Sequence, residues 1–68
     1  MIKLYYRQGC APCRTLKYFL NKKNIDYKEI SADKAGVRVV PTVIIGEHVV
    51  EGLNIPYLKR LLGLVDPP

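Results

Sequence analysis

A chain of 68 residues makes one domain near the lower limit for folding unaided, because a single core below roughly 70–80 residues rarely supplies more than ~3–5 kcal/mol. With 49% hydrophobic and 25% charged residues and no run of one sign, the composition excludes wholesale disorder. The net charge of +5 is spread from Lys3 to Arg60 without a nucleic-acid-binding signature, so it indicates acidic partners in general and no nucleic acid.

Ile2-Lys3-Leu4-Tyr5-Tyr6, rich in β-formers, predicts a first strand, and Gly9 permits a sharp turn after Arg7 and Gln8. Over residues 11–23, Cys13, Leu16, Phe19 and Leu20 recur at three- and four-residue spacing, which predicts a helix. Pro12 suits its first turn, where a proline loses no hydrogen bond. Residues 25–30 read as a second strand. Strand, helix and strand then form a βαβ unit, whose strands run parallel with a right-handed crossover. Residues 31–37 have room for one helical turn, ending at Gly36. Two β-branched runs, at residues 42–45 and 48–50, flank Gly46-Glu47 and predict a hairpin that Gly52 terminates. Asn54 is an N-cap for a last helix over residues 55–62, with Pro56 in its first turn and Leu58, Leu61 and Leu62 facing inward. The domain is expected to span residues 1–65, with 66–68 as a tail.

Arg38, Pro41, Gly46 and Glu47 interrupt the richest apolar stretch, residues 37–50, and a bilayer-spanning helix needs ~20 mostly apolar residues. Residues 1–7 lack the apolar core of a secretion signal. The expectation is a cytoplasmic protein with no membrane partner.

The only two cysteines stand together as Cys10-Ala11-Pro12-Cys13. Disulfide scaffolds use four or more cysteines, and a bond between residues three apart closes so small a loop that it is a poor staple. The chemistry of the pair is therefore the point. It lies where a strand hands over to a helix, whose first N–H groups are unsatisfied and carry partial positive charge. A thiolate there is stabilised, its pKa lowered from ~8.5 towards or below neutrality. Cys10, at the cap, is expected to be exposed and nucleophilic. Cys13, one turn inside, is expected to be buried and reachable only from Cys10. Such asymmetry suits two-step exchange, in which Cys10 attacks a disulfide and Cys13 resolves the mixed disulfide. Arg7, Arg14 and Lys17 add positive charge nearby. A closed zinc site needs four ligands where the chain offers Cys10, Cys13 and one histidine, His48, and Arg14 stands where a c-type haem needs histidine. His48 is expected on the polar face of the hairpin. Tyr5, Tyr18, Tyr27 and Tyr57 are expected in the core or at its rim, with Tyr6 nearer the cysteines.

Tyr5-Tyr6-Arg7-Gln8-Gly9-Cys10-Ala11-Pro12-Cys13 resembles the active-site segment of glutaredoxins and of the small glutaredoxin-like redoxins that reduce ribonucleotide reductase. Val39-Val40-Pro41-Thr42-Val43, followed by Gly46-Glu47-His48-Val49-Val50-Glu51-Gly52-Leu53, resembles that family's cis-proline loop, hairpin and glycine turn. The order matches, and the resemblance covers nearly the whole chain. It implies an α/β protein with a minimal thioredoxin fold: a four-stranded mixed sheet built as βαβ, then a hairpin and a C-terminal helix. Between Tyr27 and Pro41 the chain is shorter than most relatives, so the second helix should shrink to a turn and leave one sheet face thinly covered. Cys10 and Cys13 would be catalytic. Arg7, Val40, Pro41, Gly52, Leu53 and Asn54 would bind substrate, the backbone at Val40 pairing with it like an added strand.

Three departures bear on glutathione. Gln8 replaces the family's proline, Ala11-Pro12 replaces Pro-Tyr, and Glu51-Gly52-Leu53-Asn54 lacks the acidic residue that grips glutathione's amino group. Arg7 remains as a candidate holder of a glutathione carboxylate. The function implied is that of a monomeric dithiol–disulfide oxidoreductase acting on disulfide-containing proteins. Its electrons would come from glutathione or a thioredoxin-reductase-like flavoprotein, with no cofactor or metal beyond the cysteine pair. Copper chaperones also place CxxC between a first strand and a first helix, and two thiolates suit Cu(I), so a copper carrier is one alternative. An iron–sulfur carrier, with Cys10 of two subunits sharing a cluster, is another.

Overall fold

The strand formers at the N-terminus build β1 (Ile2–Tyr6), the central element of a computed structural model that describes residues 1–64. The expected tail, 66–68, lies outside the described residues, as does residue 65. After β1 come α1 (Ala11–Lys22), β2 (Lys28–Ser31), α2 (Ala32–Ala35), β3 (Thr42–Ile45), β4 (His48–Glu51) and α3 (Ile55–Leu61). The sheet has the order β2-β1-β3-β4, with β1 parallel to β2 and both β1–β3 and β3–β4 antiparallel. This is the minimal thioredoxin fold, with α2 reduced to four residues.

Register explains the core. Leu4 pairs with Val43 and Val43 with Val50, so three apolar residues form a row on one face of the sheet. Leu16 and Leu20 of α1 and Leu58 of α3 pack on that row, and all six are buried. The next row, Lys28, Lys3, Ile44 and Val49, points to the opposite face, where Lys3 is exposed and Val49 keeps 59% of its surface. That second face carries little cover, and α2 supplies only a single turn.

The second strand begins later than its apolar start suggests, at Lys28 and not Ile25. Asn24 takes a left-handed conformation (φ 57°), which asparagine tolerates better than most residues. The N–H of Asn24 donates to Asn21 C=O (3.0 Å) and that of Ile25 to Leu20 C=O (3.0 Å). This paired arrangement is a helix stop that satisfies the last carbonyls of α1, and Ile25 packs on the core as part of it. The stop is repeated after α3, where Gly63 (φ 72°) ends the helix and Leu64 N–H reaches Lys59 C=O (2.8 Å). α3 consequently ends at Leu61, with Leu61 and Leu62 half-buried at the core's edge. Tyr18 departs from the expected packing role: it is 66% exposed, with Lys22 Nζ 5.6 Å from its ring centre. Among the described residues no helix is long and apolar enough to cross a membrane.

Candidate active site: the Cys10–Cys13 pair

β1 delivers the chain to a tight turn in which Gly9 has φ 79°, and the next residue, Cys10, is the N-cap of α1. Cys10 N–H donates to Arg7 C=O (3.3 Å), and Arg14 N–H donates to Cys10 C=O (3.3 Å), which opens the helix. Sγ of Cys10 accepts the otherwise orphaned N–H of Cys13 at 3.1 Å, as a capping side chain does. The two cysteines form a disulfide, with Cα atoms 5.2 Å apart. Cys13 is 2% exposed while Cys10 is half-buried, so only one of the two sulfurs is offered to a partner.

A cleft of about 320 Å³ opens beside the pair, lined by Tyr6, Arg7, Cys10, Cys13, Arg14 and Lys17 among others. The sequence placed three cations near the pair; all three line the cleft, and two of them are held by acceptors. Arg7 Nε donates to Asp33 Oδ1 (2.9 Å), and its Nη2 donates to Val37 C=O (3.4 Å). Lys17 Nζ meets Glu29 Oε1 (2.8 Å) and lies 4.3 Å from the centre of the Tyr6 ring. Of the three, only Arg14 has no ion pair among the described residues.

Both carboxylates come from the β2–α2 segment. Glu29 is in register with Leu4, on the face that α1 covers, so it meets Lys17. Because β2 runs parallel to β1, α2 starts at the end of the sheet where Arg7 leaves β1, and Asp33 meets it there. Sequence reasoning missed Glu29 and Asp33. The only signal for them was the βαβ reading itself, which puts the two strand ends side by side.

The remaining expected residues gather at the same end of the sheet. Tyr5 pairs with Thr42, so the chain enters β3 where it leaves β1 for the cysteine turn. The Val40–Pro41 peptide bond is cis, and Pro41 is buried with its C=O accepting from Gly52 N–H (2.8 Å). Gly52 has φ 82°. Thr42 Oγ1 donates to Val39 C=O (2.5 Å). Among the described residues neither N–H nor C=O of Val40 takes an intramolecular hydrogen bond. Leu53 is 44% exposed, and Asn54 caps α3 by accepting Tyr57 N–H on Oδ1 (3.2 Å). His48 is exposed and pairs with Ile45 at the other end of the hairpin, away from the cysteines.

No family model and no curated protein sequence matches the chain. Solved structures do. A point mutant of the thioredoxin-like protein BC3987 superposes with a TM-score of 0.86 at 32% identity, over 94% of this chain and 96% of that one. The glutaredoxin of Archaeoglobus fulgidus gives 0.77 at 26% identity, over 90% of this chain and 84% of its own. The glutaredoxin-like NrdH-redoxin of Escherichia coli, whose activity profile is described as thioredoxin-like, gives 0.77 at 25% identity, over 98% and 97%. With this likeness and a disulfide-bonded pair at the head of α1, the chain belongs to the glutaredoxin-like redoxins of the thioredoxin fold and is a thiol–disulfide redoxin.

Proposed function

We propose that this redoxin reduces protein disulfides and mixed disulfides, with Cys10 as the attacking and Cys13 as the resolving sulfur. The carrying observation is the asymmetry of the pair: Cys10 is half-buried at the helix cap, and Cys13 is 2% exposed behind it. In the reduced protein the Cys10 thiolate attacks one sulfur of the substrate. The substrate S–S bond breaks, a mixed disulfide forms, and the departing thiolate takes a proton from solvent. Cys13, deprotonated in turn, attacks Cys10 Sγ and expels the second substrate thiol. Two electrons have then left the protein as its own S–S bond, the state found here. Cys13 N–H, already directed at Cys10 Sγ, supports a negative charge on that sulfur.

The open backbone at Val40 supports docking of an extended substrate segment, through main-chain hydrogen bonds beside Pro41. Glutathione or a thioredoxin-reductase-like flavoprotein returns the two electrons, and no metal or further cofactor is required. The test is reduction of insulin and of a protein mixed disulfide, with glutathione plus its reductase in one arm and NADPH plus thioredoxin reductase in the other. Cys10→Ser should abolish turnover with either donor. Cys13→Ser should still attack and should accumulate a mixed disulfide visible by mass. Activity retained by Cys10→Ser would refute the reading.

A further inference from the structure

Arg7 lines two adjoining clefts. One opens beside Cys10, and the other, of about 440 Å³, is lined by Tyr6, Arg7, Gln8, Ser31, Asp33 and Lys34. The guanidinium is committed to the second. Its Nε is taken by Asp33 and its Nη2 by the carbonyl of Val37. A guanidinium grips a carboxylate through two parallel N–H donors on one edge, and here Nε and Nη2 each already have an acceptor, which leaves Nη1 as the one nitrogen without a partner among the described residues. A substrate carboxylate arriving at Arg7 would also meet the negative charge of Asp33, whose side chain is 69% exposed and faces the same solvent.

Resting on the reading of Cys10 and Cys13 as an exchange centre, we propose that Asp33 is a positioning residue that sets substrate specificity. By engaging Arg7 from the α2 side, it limits what this residue, still part of the wall of the cysteine cleft, can offer a substrate carboxylate. Small anionic disulfides such as those of glutathione are disfavoured, and disulfides recognised through backbone are left unaffected. The charge beside Cys10 is then carried chiefly by Arg14, since Lys17 is held in the same way by Glu29.

The test compares reduced wild-type protein with Asp33→Asn in single-turnover oxidation by two disulfides. One is neutral hydroxyethyl disulfide, and the other is the mixed disulfide of glutathione with mercaptoethanol. Rates are read by rapid alkylation and mass. Asp33→Asn should raise the second-order constant for the glutathione disulfide by about five-fold, the equivalent of one strong exposed ion pair, through a lower half-saturating concentration. Hydroxyethyl disulfide should change by less than about two-fold, as expected of a surface substitution. Asp33→Glu should keep the wild-type discrimination, and the double variant Arg7→Gln/Asp33→Asn should lose the gain. Asp33→Ala provides the same readout should the asparagine variant fold poorly. Equal acceleration of both disulfides, no change in either, or a gain that survives loss of Arg7 would overturn the proposal. A wild-type protein that reduces neither disulfide would overturn the exchange-centre reading instead.

Discussion

At Gly9 a single backbone angle decides how the sulfur of Cys10 is presented. Its φ of 79° lies in the left-handed region, and a Cβ built there would meet no atom within 4 Å. Alanine at this site would therefore be penalised through the backbone alone, not by a clash. Gly9→Ala should lower the free energy of unfolding by about 1–2 kcal/mol, the cost of placing an L-residue in that region. Asparagine, which visits the region more readily, should cost less. Urea titration with an unchanged slope would record the loss as a shift in midpoint. An alanine variant as stable as the parent would show that the turn relaxes to a negative φ, and Cys10 would then lose its capping geometry. One such residue is enough to couple stability to reactivity, because the turn it permits is the N-terminus of α1.

At the scale of the element, α1 carries chemistry at one end and the core along its length. Cys13, Leu16 and Leu20 are its buried residues, at the three- and four-residue spacing of one helical stripe. Leu16→Ala should cost about 3 kcal/mol, within the range for emptying a fully buried leucine site. In a chain this short that approaches the whole reserve, so thermal unfolding followed by circular dichroism should show a largely unfolded variant at 37 °C. A cooperative transition near the parent's would mean that neighbouring side chains collapse into the space. The same stripe made α1 legible in the sequence, as β-formers did for β1, two β-branched runs around a Gly-containing turn for the hairpin, and Asn54 for the start of α3. Signals of this kind lie within a few residues of each other. Ile25 was misplaced because its apolar side chain reports burial but not the element doing the burying; the asparagines at 21 and 24 signal the end of α1, but not that Ile25 belongs to the stop and not to the strand. Arg7 with Asp33, and Lys17 with Glu29, are pairs 26 and 12 residues apart. Which cations of a basic chain remain free is decided by such pairings, so the residues of the candidate site were legible while its electrostatics were not.

For the whole molecule the question is whether a four-stranded sheet covered chiefly on one side pairs with its own copies. The order β2-β1-β3-β4 leaves β2 and β4 as edges. Each is four residues long, with Lys28 and Glu29 on one and His48 and Glu51 on the other, and short charged edges discourage strand addition. The open face is protected differently. Its central row crosses all four strands as Lys28, Lys3, Ile44 and Val49, so two neighbouring lysines fill one half of the row, with Lys3 directly beside the half-buried Ile44 and the exposed Val49 on the far edge. A net charge of +5 adds repulsion between copies. Sedimentation velocity over a concentration series should therefore show a single monomeric species. Lys3→Ile would join Ile44 and Val49 into an apolar strip over three adjacent strands, and it should produce concentration-dependent association. Lys3→Glu would keep a charge in the row and should stay monomeric. A monomeric Lys3→Ile variant would shift the explanation from this face to the edges, whereas a wild-type dimer would mean that the lysines accommodate a partner copy instead of repelling it.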